Sequence, residues 1–165
     1  MKAVLAGAFD PFTAGHRDLA LRASKIFDGV IVAVAEDTGK ATAALSDRLA
    51  IAELSTSNLE NVEVVPFSGL LTDFLNENAP VVLLRGLRGV RDAEYERDLC
   101  RIYGGESDCE CVYLFSRAEL EHVSSTTVRQ LAELGGKLDS YVVPQAADYV
   151  KKVYCKTAKR SNHER

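Results

Sequence analysis

No stretch of this 165-residue chain stays apolar for the roughly 18 residues that a membrane-spanning helix requires. The opening Met1-Lys2-Ala3-Val4-Leu5 is too short an apolar run for a secretory signal and reads instead as the entry to a buried strand. No internal repeat and no biased tract interrupts the sequence. These absences predict a soluble, cytoplasmic protein. Basic charge is also short: 20 Lys and Arg stand against 24 Asp and Glu, a net charge of −4. That argues against a general nucleic-acid surface, so any phosphate site must be a local gathering of cations in an acidic protein. Cysteine is sparse and unevenly placed, at Cys100, Cys109, Cys111 and Cys155. This predicts no disulfide framework and suits a reducing compartment. Cys109 and Cys111 share a face if their segment is a strand. No second close pair or nearby histidine completes a ligand set, so no protein-held metal is expected.

What is present is enough apolar residue, 47% of the chain, for one core; two domains would each be cramped. Strands are predicted at Lys2 to Gly7, Val30 to Ala35, Val62 to Phe67, Val81 to Leu84 and Glu110 to Phe115. Helices are predicted at Gly15 to Phe27, Leu45 to Thr56, Leu70 to Asn78, Asp92 to Tyr103, Ser125 to Leu134 and Pro144 to Tyr154. The strands are almost wholly apolar and the helices alternate with them. That pattern implies one doubly wound parallel α/β sheet of about five strands, Rossmann-like, with helices on both faces. The domain is expected to cover residues 1–154, and residues 155–165, polar and without apolar period, are read as a disordered tail. Ligands of such sheets sit at the carboxyl ends of the strands, where the strand order reverses.

Four segments fall at such ends. Gly7-Ala8-Phe9-Asp10-Pro11-Phe12-Thr13-Ala14-Gly15-His16 leaves the first strand and opens a helix, whose free amides favour an anion, with His16 in the first turn. Arg85-Gly86-Leu87-Arg88 follows the fourth strand, and arginine forks suit phosphate oxygens. Val123-Ser124-Ser125-Thr126-Thr127 opens the helix after the fifth strand; its hydroxyls serve equally well as simple caps. Lys40 lies in the loop after the second strand, where a lone lysine is commonly just solvated.

Thr13-Ala14-Gly15-His16 resembles the Thr-x-Gly-His form of the signature of the HIGH-type nucleotidyltransferase superfamily. The resemblance implies that His16 contacts nucleotide phosphates and stabilises transition-state charge. Arg85-Gly86-Leu87-Arg88 followed by Glu94-Tyr95-Glu96 resembles the phosphopantetheine adenylyltransferase family within it. By that resemblance Arg88 and Glu96 contact ATP, together with Ala8, Phe9, Gly86 and Leu87, and Arg85, Lys40, Leu71 and Ala8 hold the acceptor, 4'-phosphopantetheine. His16, Lys40 and Arg88 form the implied catalytic set. Ser124-Ser125-Thr126 resembles the Ile-Ser-Ser-Ser/Thr motif that holds the triphosphate. The resemblance further implies Mg²⁺ bound through the nucleotide phosphates, and a homohexamer. It spans about residues 2 to 154 and departs at three places on the acceptor side. Ala8 stands where the family usually has a hydroxyl residue, Ile102-Tyr103-Gly104 where it has Met-Asn-Arg, and the lysine loop is one residue shorter. Nicotinate or nicotinamide mononucleotide adenylyltransferases share the serine-threonine motif, but they usually carry His-x-Gly-His and lack the Arg-Gly-Leu-Arg and Glu-Tyr-Glu pair. Glycerol-phosphate cytidylyltransferases differ for the same reasons. A non-catalytic nucleotide-binding paralogue is the alternative of a different class.

Overall fold

Alternate residues of the apolar strands are buried on opposite sides, which requires a cover on each. A computed structural model of the chain describes residues 1–161 other than 37, 38, 40 and 108, and only the backbone at 91, 103–106 and 156–161. The strands are β1 (Lys2–Gly7), β2 (Gly29–Ala35), β3 (Val62–Phe67), β4 (Val81–Leu87) and β5 (Cys111–Phe115). They form one parallel sheet in the order β3-β2-β1-β4-β5. The helices are α1 (Ala14–Ala23), α2 (Leu45–Thr56), α3 (Leu71–Glu77), α4 (Val90–Glu106), α5 (Ser125–Glu133) and α6 (Pro144–Ser161). Leu5, Val32 and Leu84 point to the face packed by Leu19 of α1, Ile51 of α2, Val128 of α5 and Tyr154 of α6. Val4, Ile31 and Leu83 point to the other face, against Leu75 of α3. Each fully buried aliphatic side chain of this kind contributes about 1.5–3 kcal/mol, so the two faces together hold the expected doubly wound sheet.

The strand order reverses between β1 and β4, and there the ladder parts. β1 pairs with β2 along its whole length, from Lys2–Gly29 to Gly7–Val34. β4 pairs with β5 through to Leu87–Phe115. Between β1 and β4 the pairing stops at Val4–Leu83. The carboxyl halves of these two central strands therefore splay, and the gap is the root of the cleft described below.

Several boundaries differ from the sequence reading. β4 runs three residues past Leu84 because β5 continues to supply hydrogen bonds there, which places Arg85 and Gly86 inside the strand. α1 ends at Ala23, since Lys25 and Ile26 donate to carbonyls three residues back and tighten the last turn. Phe27 nevertheless packs on the core. α6 continues to Ser161, seven residues beyond Tyr154. The Lys156-Thr157-Ala158-Lys159-Arg160 stretch is mostly of good helix formers. The cysteine expectation is corrected: Cys100 and Cys111 form a disulfide. α4 lies across β5 and brings their Cα atoms to 6.3 Å, within the span such a bond needs. Sequence spacing carries no trace of that packing.

Candidate active site

The loop after β1 turns sharply. Phe9 adopts a left-handed backbone with φ of 47°, a conformation that costs a non-glycine residue of order 1 kcal/mol or more. A Cβ on Gly7 would stand 3.3 Å from the Phe9 ring, so any larger residue there would press on the turned phenylalanine. What holds the turn is Asp10. Its buried carboxylate accepts from the Thr42 amide at 2.8 Å, the Thr42 hydroxyl at 3.0 Å, the Ala43 amide at 3.2 Å and the Tyr154 hydroxyl at 2.7 Å. Arg129 of α5 closes the set, donating to the Asp10 carbonyl and lying 3.6 Å from its carboxylate. Burial, with the carboxylate beside it, holds the Tyr154 phenol well above its ordinary range, so it stays a donor.

Thr13 and His16 form a capping box at the start of α1. The Thr13 amide donates to His16 Nδ1 at 3.0 Å, which makes Nδ1 an acceptor and leaves the ring proton on Nε2. The imidazole packs between Phe9 and Phe12, at 5.1 and 5.3 Å between centroids. Burial, and then the Arg88 guanidinium nearby, lower its pKa to about 4. His16 is thus a neutral N–H donor at physiological pH, pointed away from its own helix.

Across the gap, β4 presents Arg85, Gly86 and, just past its end, Arg88. Arg85 grips Glu96 of α4 through Nε at 2.6 Å and Nη2 at 2.7 Å. A Cβ on Gly86 would come within 2.5 Å of the buried Leu19 Cδ1, so glycine lets α1 close on β4. Arg88 is exposed, its amide tied to Asp92 at 3.0 Å. The third wall is the start of α5. Ser124 is its N-cap and accepts from the Thr127 amide at 3.1 Å. Ser125 donates its hydroxyl to the Pro11 carbonyl at 2.8 Å, fastening α5 to the β1 loop. The Thr126 hydroxyl is engaged by Arg129 at 3.3 Å. Of this first turn, Ser125 lines the cleft; Ser124 and Thr126 are not among its walls.

A cleft of about 580 Å³ joins these parts, with Ala8, His16, Arg85, Arg88, Glu96 and Ser125 among its walls. Gly86 and Phe9 also line it. Leu87 does not; it is buried and faces a second cavity behind α4. Leu71 opens α3 and packs on the lower core, apart from the cleft. Lys40 lies outside the described residues, as does the side chain of Tyr103, which follows Ile102. Sequence reasoning missed Asp10, Arg129, Tyr154 and a fully buried arginine, Arg48. Arg48 donates to the carbonyls of Ala8 and Ala35 at 2.7 Å, Glu36 at 3.1 Å and Ala43 at 3.3 Å. The one sequence signal was an arginine interrupting the apolar face of α2. Together the walls gather a neutral imidazole and three arginines, Arg85, Arg88 and Arg129, with the carboxylates Asp10, Asp92 and Glu96, a polar lining whose guanidinium groups are of the kind that suits phosphate oxygens.

The chain matches the cytidylyltransferase-like family over residues 4–131. It is 44% identical over 147 residues to the phosphopantetheine adenylyltransferase of Aromatoleum aromaticum, covering 86% of this chain and 88% of that protein. It is 42% identical over 152 residues to the phosphopantetheine adenylyltransferase of Tolumonas auensis, covering 91% and 93%. Among solved structures, one described as a nicotinate-nucleotide adenylyltransferase from Vibrio parahaemolyticus superposes with a TM-score of 0.65 at 16% identity, covering 90% of this chain and 97% of that one. A bifunctional NMN adenylyltransferase/ADP ribose pyrophosphatase from Francisella tularensis gives 0.70 at 15% identity, over 98% of this chain and 53% of that one. At such identities these last two share a fold with this chain.

Proposed function

Because this chain belongs to the phosphopantetheine adenylyltransferase family, within the cytidylyltransferase-like proteins, we propose that its cleft transfers the adenylyl group of ATP to 4'-phosphopantetheine. The products are dephospho-coenzyme A and pyrophosphate, a step of coenzyme A biosynthesis. The observation that carries the reading is that His16, Arg88 and the first turn of α5 converge where β1 and β4 part.

The acceptor phosphate is already an anion near neutral pH, so no base is needed to make a nucleophile. An acceptor oxygen attacks the α-phosphorus, and the bond to the leaving pyrophosphate breaks. The protein brings two anions together and stabilises the charge that grows on the α-phosphate and pyrophosphate oxygens. His16 donates its Nε2 proton as a hydrogen bond to a phosphate oxygen without itself changing charge. Arg88 and the Ser125 and Thr126 amides hold the triphosphate. Arg85, its fork set by Glu96, and Lys40 hold the acceptor beside Ala8. Among the described residues no group of three or more His, Cys, Asp and Glu could hold a metal; Mg²⁺ carried by the nucleotide phosphates would offset their charge. No helix among the described residues is long and apolar enough to cross a membrane. We place the enzyme in the cytoplasm as a homohexamer, to be checked by light scattering.

The test is pyrophosphate release with ATP and Mg²⁺, comparing 4'-phosphopantetheine, nicotinate mononucleotide, nicotinamide mononucleotide and no acceptor. Release with phosphopantetheine alone is expected. Release with a mononucleotide instead would overturn the acceptor. Silence throughout, with ATP bound, would leave a nucleotide-binding paralogue.

A further inference from the structure

Arg48 does nothing in the chemistry outlined above, yet among the described residues it is the largest fully buried side chain, 1% exposed. Four of its five N–H donors are spent on backbone carbonyls. They join Ala8 at the start of the loop after β1, Ala35 and Glu36 where β2 ends, and Ala43 ahead of α2. Ala8 and Ala41, in the segments so joined, line the cleft. No carboxylate among the described residues lies within ion-pair distance of the guanidinium. The nearest anionic group in this network is Asp10. Ala43 links the two, its amide donating to Asp10 and its carbonyl accepting from Arg48. Asp10 is already shared among four donors and lies beside Arg129. Arg48 stands behind the floor of the cleft, while Arg129 and Asp10 line it, so this network holds two guanidinium groups and one carboxylate.

Burying a cation without an anion is costly, and the four carbonyls could be bridged by a less expensive arrangement of the backbone. The geometry points to a purpose on the ligand side. We propose that Arg48 is a positioning residue for the acceptor phosphate. It fixes the Ala8 turn and the segment returning at Ala41, and its charge lies beneath the phosphate that binds over them. The proposal rests on the phosphopantetheine reading above. It also bears on Ala8, which lacks a side-chain hydroxyl: a rigidly aimed Ala8 amide, backed by a buried cation, supplies part of what that donor would give and leaves room for the gain a hydroxyl there would bring.

The experiment compares the wild type with Arg48→Lys, which keeps the charge but loses the fork, and Arg48→Gln, which loses both. ATP affinity is read by calorimetry and the acceptor KM by pyrophosphate release. The variants are expected to hold ATP within about twofold and to raise the acceptor KM at least ~10-fold, Gln more than Lys, the scale of one hydrogen bond to a charged group. A folded variant with an unchanged acceptor KM, or with equal losses for both substrates, overturns the proposal. Should neither variant fold, the wild type decides. The Arg48 Nε resonance is expected to shift on saturation with phosphopantetheine and to stay still with a non-hydrolysable ATP analogue, and an unmoved resonance in both overturns it. A wild type that releases no pyrophosphate with phosphopantetheine defeats the function itself. An active wild type with indifferent variants defeats only the role of Arg48.

Discussion

Two hollows of nearly equal size flank α4, and only one of them has the makings of an active site. The cleft between β1 and β4 holds about 580 Å³ and the cavity behind α4 about 520 Å³. The second even carries two arginines, Arg97 and Arg101. Both are mostly exposed, however, and both are spent on Asp98, at 3.2 and 3.8 Å. Pairs so exposed add little. Its cysteines are no more available: Cys100 is bonded to Cys111, and burial pushes the Cys109 thiol above its ordinary pKa, away from the reactive thiolate. The cleft differs in how its groups are held. His16 is locked by a capping box, Arg85 by a two-point grip on Glu96, and the β1 loop by Asp10. His16, Arg85 and the β1 loop residue Ala8 all line the gap. Volume alone did not separate the two hollows; the supported donors did.

The sharpest way to break the comparison is a matched pair of truncations. His16→Ala should lower kcat at least ~100-fold, the scale for loss of one charge-stabilising donor. Arg101→Ala in the other hollow should stay within about twofold, as surface changes usually do. Similar effects from both, measured by pyrophosphate release with intact circular dichroism, would erase the distinction.

A gain of function sharpens it next. Ala8 lines the cleft half-buried, and Ala8→Thr adds the hydroxyl usual in the family. We expect kcat/KM for the acceptor to rise about tenfold, the scale of a hydrogen bond to a charged group. An unchanged value would mean that the backbone already meets the phosphate there.

Glu96→Gln tests the support rather than the donor. It weakens both contacts to Arg85, a pair whose side chains are 24% and 12% exposed. The loss of about 1.5–2 kcal/mol should lower the melting temperature by roughly 3–8 °C. A melting curve that does not move would show that Arg85 is held by other means.

The remaining test is the titration of His16. With a folded pKa of about 4 against an ordinary 6.5, the unfolded chain takes up a proton between those values that the folded chain refuses. The neutral ring therefore favours the fold fully above pH 6.5, and that contribution is lost as the pH falls towards 4. His16→Gln should flatten this part of the stability profile, and the imidazole proton resonances should titrate near 4. A midpoint near 6.5 would contradict the locked, neutral donor.

The sequence disclosed what depends on neighbours and on local pattern. Val30 to Ala35 is a continuous apolar run and forms a strand buried on both sides, and Val62 to Phe67, broken by Glu63, forms the strand at the sheet edge. Thr13 and His16 stand three residues apart at a strand-to-helix junction and meet as a cap. The spacing of Arg85 and Arg88 pointed to the strand end, though not to the longer β4, which depends on β5 far along the chain. What stayed hidden depends on distant partners. Asp10 reaches Thr42 and Tyr154 across 32 and 144 residues, and no window of sequence joins them. Arg48 drew no attention in the sequence, because its four carbonyl partners carry no side-chain signature. Cys100 and Cys111 bond because α4 crosses β5, a fact of packing rather than of spacing.

The most direct measurement is the product. The protein is incubated with ATP, Mg²⁺ and 4'-phosphopantetheine, and the mixture is resolved by mass spectrometry beside a pyrophosphate count. Dephospho-coenzyme A and pyrophosphate in equal amounts are predicted, both abolished together in His16→Ala. Unaltered phosphopantetheine in the presence of bound ATP would contradict the assignment of the cleft as an adenylyl-transfer site.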